Sequence, residues 1–150
     1  MKTKQESVWD YPRPPRLEQV SDQLQIVFAG EEIVRAKGAF RVLETSHPPV
    51  YYIDRKWIKP NVLQPSTLQT YCEWKGIAVY SHVFARGKLV SNAAWSYANP
   101  TTNYESIANH VAFYPAMMDA CFVNGELVSP QPGQFYGGWI TKNIKGPFKG

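Results

Sequence analysis

Cysteine is scarce: Cys72 and Cys121 are the only two in 150 residues. Two thiols make no disulfide framework, and they stand apart where structural zinc sites commonly use paired C-x2-C knuckles. A zinc site drawn from Cys72, Cys121, His47 and His110 is the arrangement left open. Isolated cysteines and partnered histidines are more often structural, so the expectation is that the chain has no cofactor. Long apolar runs are missing too. None approaches the roughly 18 residues of a membrane helix, and MKTKQESVWD at residues 1–10 has no apolar core of a signal peptide. These absences predict a soluble, cytoplasmic chain with reduced thiols and no membrane partner. No G-x-G-x-x-G stands between a strand and a helix, and Gly137-Gly138 is no P-loop, which gives phosphate binding little support. Repeats, low-complexity tracts and inter-domain linkers are absent, which predicts one domain.

Aromatic residues, proline and glycine are plentiful instead. Phe, Trp and Tyr make up 14% of the chain, nine of them Tyr and five Trp, and such side chains combine large burial with a polar handle that wants a partner. Twelve Pro and ten Gly against few helix-favouring runs predict many short strands joined by turns, a mainly β fold. The net charge is +4, yet the basic residues are dispersed except for Lys142, Lys145 and Lys149, so nucleic acid is not the expected partner.

Along the chain, the proline-rich residues 1–21 predict an extended arm that packs back on a domain of residues 22–150, because Trp9 and Tyr11 are costly to leave in water. Leu24, Ile26 and Phe28 alternate with polar neighbours, Gly30 punctuates, and Ile33 and Val34 resume, a strand-turn-strand pattern. Further strands are predicted over 40–43, 50–53, 70–74, 77–84, 88–97, 111–114, 119–123 and 126–128, most of them short. Asn124-Gly125 and Arg86-Gly87 predict two-residue hairpin turns. One or two helical turns are expected, near residues 54–58 and where Thr102 and Glu105 have capping-box spacing.

Polar and aromatic groups gather in a few segments: VLETSHPPVYYI at 42–53, TYCEWK at 70–75, AWSY at 94–97, HVAFYP at 110–115 and FYGGWIT at 135–141. Glu44, Glu73 and Asp119 lie in or beside apolar strands, where desolvation raises a carboxylate pKa unless a cation is near. Arg41 and Lys75 are such cations, serving either chemistry or a structural network. Glu44, His47 and Glu73 are therefore the candidate catalytic groups. Arg41, Ser46, Tyr51, Trp74, Lys75, Trp95, His110, Tyr114 and Trp139 are the candidate ligand-binding groups. Each aromatic among them has packing in a core as its simpler reading. Gly137-Gly138 predicts a bulge or a close approach of backbone.

Taken in order, VLETSHPPVYYI, PSTLQTYCEWKGIAVY, AAWSY, IANHVAFYP, DACFVNGE and QPGQFYGGWIT resemble the bacterial and fungal family known as domain of unknown function 427. The resemblance implies a single compact, mainly antiparallel β domain of β-tent (Mss4-like) architecture, whose zinc-binding relatives use the paired knuckles missing here. The family is sometimes labelled nucleotidyltransferase-like, but two-metal phosphoryl transfer would want a Gly-Ser turn followed by Asp-x-Asp, and neither is present. The leading expectation is a central cleft that binds a small polar, planar or anionic molecule through Arg41, Glu44, His47, Glu73, Trp95 and His110. Two rivals stand beside it: acid-base catalysis by a carboxylate and a histidine in the same cleft, and an interaction surface for a protein partner or a second copy forming a homodimer.

Overall fold

The computed structural model describes residues 4–133 and 136–149. The chain is mainly β, and its architecture follows from one long hairpin. Strand β1 (Glu6–Ser7) is followed by β2 (Arg16–Phe28) and β3 (Glu31–Leu43), each of the latter two 13 residues long. They are joined at Ala29-Gly30, where φ values of 54° and 74° give the left-handed turn that suits strand twist. Strand β4 (Val50–Tyr52) pairs with β3. Then come β5 (Leu63–Cys72), β6 (Gly76–Ala85), β7 (Lys88–Ser96) and β8 (Val111–Phe113), which form a four-stranded antiparallel meander.

Strands β9 (Ala120–Val123) and β10 (Glu126–Leu127) return to the first sheet, whose order is β10-β9-β2-β3-β4. The predicted turns Arg86-Gly87 and Asn124-Gly125 both have two positive φ values. Strands β11 (Ser129–Pro130) and β12 (Trp139–Ile140) form a small antiparallel pair, and β13 (Ile144–Lys145) runs parallel to β1. Helical structure among the described residues is confined to short 3-10 turns at Val8–Asp10, Arg55–Trp57, Thr102–Ile107 and Pro115–Met117.

The main core lies between the two larger sheets. Leu24, Ile26, Ile33 and Val34 from β2 and β3 meet Val83, Ala93, Val111 and Phe113 from the other sheet. An Ile53–Val111 bridge stitches the sheets together. A second cluster around Val42, Tyr52, Trp95, Tyr97 and Ile107 occupies one end of this interface. Val8 and Tyr11 bury against Leu43 and Ile144, which brings the N-terminal segment back across the domain, although Trp9 stays 55% exposed with its indole N–H on the Pro147 carbonyl.

The structure differs from the sequence reading in several places: β2 starts at Arg16, inside the predicted arm of residues 1–21, and β5 starts at Leu63, where the sequence predicts a strand only from residue 70. Residues 40–43 are not a separate strand; β3 runs through a register shift, where Gly38 at φ +109° interrupts the alternation without ending the pairing. Residue Trp74 falls outside β5, in the turn that follows it. Thr102 is not a capping residue: the N-cap is Thr101, which makes no side-chain cap bond, and its hydroxyl donates to the Trp74 carbonyl at 2.6 Å.

Candidate functional site

The second cluster opens into a cavity of about 210 Å3 between the ends of the two sheets. Strand alternation decides which side chains reach it. On β3 and β4, Val42, Val50 and Tyr52 face inward, whereas the cross-strand partners Arg41 and Tyr51 point to the opposite face. On β6 and β7, Tyr80 and Trp95 are paired and line the cavity together, with Tyr97 two residues beyond Trp95 on the same side. Tyr114 follows β8, its amide held by the Ala93 carbonyl at 3.0 Å.

A three-residue hairpin loop supplies the charge. Cys72 pairs with Gly76, whose φ of +107° closes the loop, so Glu73, Trp74 and Lys75 form the turn. Thr101 clamps this loop from outside, its amide on the Lys75 carbonyl at 3.1 Å and its hydroxyl on that of Trp74. The result is a lysine only 8% exposed, its Nζ 5.9 Å from the Tyr97 ring centre and 6.0 Å from that of Tyr104. No ion pair among the described residues involves Lys75. Burial pulls its ammonium down, and the Tyr52 and Cys72 acids and the Glu44 carboxylate pull it up, with the balance above its ordinary value. Lys75 is therefore a cation at neutral pH.

Opposite it, the loop at residues 44–49 brings in Glu44, His47 and Pro48. The loop is tied on both sides: the Ser46 amide bonds the Val8 carbonyl at 3.0 Å, and the Lys149 amide bonds the Ser46 carbonyl at 2.9 Å. Glu44 pairs with Arg13 at 3.4 Å. Gln131 sets the state of His47. Its amide nitrogen donates to the Lys149 carbonyl at 2.7 Å and lies 3.2 Å from His47 Nδ1, while its Oε1 accepts from the Gly138 amide. A donor on Nδ1 leaves the ring proton on Nε2.

Burial pulls His47 below its ordinary 6.5, Glu44 opposes this, and Lys149, Arg13 and Lys75 add to the downward pull. Because the unfolded chain binds this proton more readily, the stability contribution is complete above 6.5 and declines as pH falls toward the folded value. Thermal melts taken from neutral pH downward are expected to show a slope through that window that His47→Gln flattens; an unchanged slope in the variant would contradict this placement.

The floor is aromatic. Trp95 donates its indole N–H to the Tyr52 hydroxyl at 3.4 Å and packs on Tyr114 at 4.5 Å between ring centres. Burial, the leading cause for Tyr52, Tyr97 and Tyr114 alike, pushes all three phenols well up, so their hydroxyls stay neutral. Gly137 lies against the Trp95 ring so closely that a Cβ there would stand 2.3 Å from Cη2, and one on Gly138 would stand 2.6 Å from Pro48 Cγ. This is the close backbone approach that the doublet implied. Phe135, in the same sequence segment, lies outside the described residues.

The sequence candidates thus divide. Glu44, His47, Lys75, Trp95 and Tyr114 share the cavity. Arg41 does not: its Nε donates to Glu18 at 2.7 Å and Nη2 to Glu6 at 2.9 Å, and Glu6 also accepts from Tyr11 at 2.6 Å. Burial pushes Glu6 up, and the Arg41 and Tyr11 hydrogen bonds outweigh it and hold the carboxyl below its usual range. Arg41 thus belongs to a structural network, and its partners are not the carboxylates of the motif segments. Tyr51 packs on Trp139 at 5.1 Å on that same far side, and Trp139 is core at 1% exposure.

Glu73 is exposed at the hairpin tip, a correction to its place in a cleft, because a three-residue turn aims its first and last side chains differently. Trp74 is half-buried against the second cluster without lining the cavity, and Ser46, within the 44–49 loop, is buried without lining it either. His110 lines a separate cavity of about 550 Å3, with Nδ1 3.2 Å from the Ala108 carbonyl and Nε2 4.0 Å from Asp54. The six-residue cleft expected from sequence is therefore three residues, Glu44, His47 and Trp95, joined by others. Among those missed, Tyr97 carried a signal in its two-residue spacing from Trp95 and Tyr52 in the pair Tyr51-Tyr52; Tyr80 and Gln131 carried none.

Among the described residues, no group of three or more His, Cys, Asp or Glu side chains is placed to hold a metal ion. No helix is long and apolar enough to cross a membrane among those residues. The fold and site define a mainly β domain with a small aromatic cavity around a buried cation. A family model described as domain of unknown function 427 matches residues 16–124, and the chain belongs to that family. Gln131, Tyr136 and Gly137 at the cavity rim follow the matched region. The comparison with curated proteins finds no match.

Proposed function

We propose that this chain is a small-molecule-binding β domain whose ligand occupies the cavity between Lys75 and Trp95. The observation that carries the reading is Lys75, a residue only 8% exposed and without a carboxylate ion-pair partner among the described residues. Cation-π contacts with Tyr97 and Tyr104, worth about 0.5–2 kcal/mol, help hold the ammonium at the cavity, where no carboxylate of the described residues is ion-paired with it. The larger cavities lack this feature. The lysines around His110 are exposed, and Arg41 in the groove beside Tyr51 is already paired. The two interlocked antiparallel sheets support the β-tent reading implied by the family resemblance. Two free cysteines support a reducing, cytoplasmic setting.

A proton-transfer enzyme is the second reading, favoured by a neutral His47 with a fixed tautomer in the same cavity as Glu44. Binding is tested with Lys75→Met, which removes the charge and keeps the bulk. Because the surroundings favour the charged form on balance, loss of the ammonium is expected to lower stability by no more than about 1 kcal/mol, so that the variant stays folded. Native mass spectrometry of gently purified protein is expected to show a small molecule retained by the parent and lost from the variant. The same adduct on both proteins would defeat the reading.

A further inference from the structure

Accepting that the cavity is the binding site, we propose that its ligand is a planar aromatic monocarboxylate, with the carboxylate seated as counter-ion to Lys75 and the ring lying along Trp95. Charge sets the valence. Lys75 contributes one positive charge, Glu44 is met by Arg13, and His47 is neutral, so the cavity has one net charge to balance. A phosphate would bring more charge than a lone ammonium can meet, and among the described residues no arginine or helix N-terminus lines the cavity to help.

The donor inventory fits a carboxylate. Its two oxygens accept, and the cavity offers the Lys75 ammonium, neutral tyrosine hydroxyls and a histidine whose Nδ1 is already occupied by Gln131, leaving Nε2–H as its donor. Shape sets planarity. Trp95 and Tyr114 form an aromatic wall with rings 4.5 Å apart, and Val42, Val50 and Pro48 supply aliphatic surface facing the same space.

Volume sets size. At 210 Å3 the cavity has room for about seven waters, enough for a single substituted ring and below the roughly 300 Å3 at which sites for drug-sized ligands begin.

The test uses benzoate, its neutral isostere benzamide and the cation benzamidine, each titrated into 15N-labelled full-length protein while the Trp95 indole N–H and the Gly137 amide are followed. Benzoate is expected to move both signals with an affinity about tenfold or more above that of benzamide, with benzamidine silent. In Lys75→Met, or Lys75→Gln should the first variant fail to fold, the preference of benzoate over benzamide is expected to vanish. Benzamide binding as tightly as benzoate at Trp95 would overturn the carboxylate assignment while leaving the cavity as a binding site. Silence from all three would overturn the ligand class, and the mass comparison of parent and Lys75→Met protein then judges the cavity separately.

Discussion

Gly137→Ala is expected to abolish ligand binding and to cost about 1–3 kcal/mol of stability, the range for forcing an extra methyl into a filled space. The added Cβ would stand 2.3 Å from Trp95 Cη2 and 3.1 Å from Cζ3, inside any permitted contact. Both atoms belong to a ring already held by the Tyr52 hydroxyl and by Tyr114, so the indole cannot step aside without uncovering the cavity floor. Conformational strain is not the cause, since Gly137 is not among the residues with positive φ. A double-mutant cycle checks this. Phenylalanine lacks the benzo atoms that collide, so Gly137→Ala in a Trp95→Phe background is expected to cost well under half of what it costs alone. Additive losses would show that the methyl harms the loop for some reason unconnected with Trp95.

Trp139→Ala is expected to lose about 3–5 kcal/mol, the largest stability effect of any single change considered, because a large side chain at 1% exposure leaves a void the surrounding strands cannot fill. Trp139 packs on Tyr51 at 5.1 Å and its indole N–H lies 3.4 Å from the Phe113 carbonyl, so it ties the small β11–β12 pair to both larger sheets. For a chain of this length the melting temperature is expected to fall on the order of 10 °C. Trp139→Phe should lose less and leave ligand affinity unchanged. A ligand-binding defect in a folded Trp139→Phe protein would contradict its placement in the core.

Trp139 and Trp95 show what a sequence can and cannot reveal about such a site. Both stand in aromatic segments of similar composition, and only the three-dimensional course of the chain puts one beneath a cavity and the other between sheets. Several strands were legible, because alternation at Leu24, Ile26 and Phe28 and the Asn124-Gly125 and Arg86-Gly87 turns are local chemistry, whereas the first seven residues of β5 were not. The length of the central hairpin was not. Its two strands continue past Gly38 because each has the other as partner, a non-local cause.

Within the site, Tyr51 and Tyr52 are neighbours in an extended chain, so one must face away from the other, and nothing in their sequence says which faces the cavity. Arg41 was assigned to the cleft as a cation for the motif carboxylates, yet its partners Glu18 and Glu6 arrive from a strand pairing and a returning N-terminal segment. Glu73 and Lys75, two residues apart in one segment, were both expected in the cleft. The tight loop closed by Gly76 separated them, sending the carboxylate to solvent and the ammonium inward. The close approach at Gly137 and Gly138 was legible in kind, since paired glycines without a phosphate motif indicate contact, but its target, Trp95, was not.

A fragment library of small acids, bases and neutral rings titrated into 15N-labelled protein tests the central claim most directly, because it lets the protein choose among its cavities. The expected result is that the fragments that bind move the Trp95 indole and Gly137 amide signals together, and that Lys75→Met removes the response to the acids. Fragments that leave those signals still and move residues around another cavity instead, such as His110 and Trp57, would place binding there and contradict this assignment.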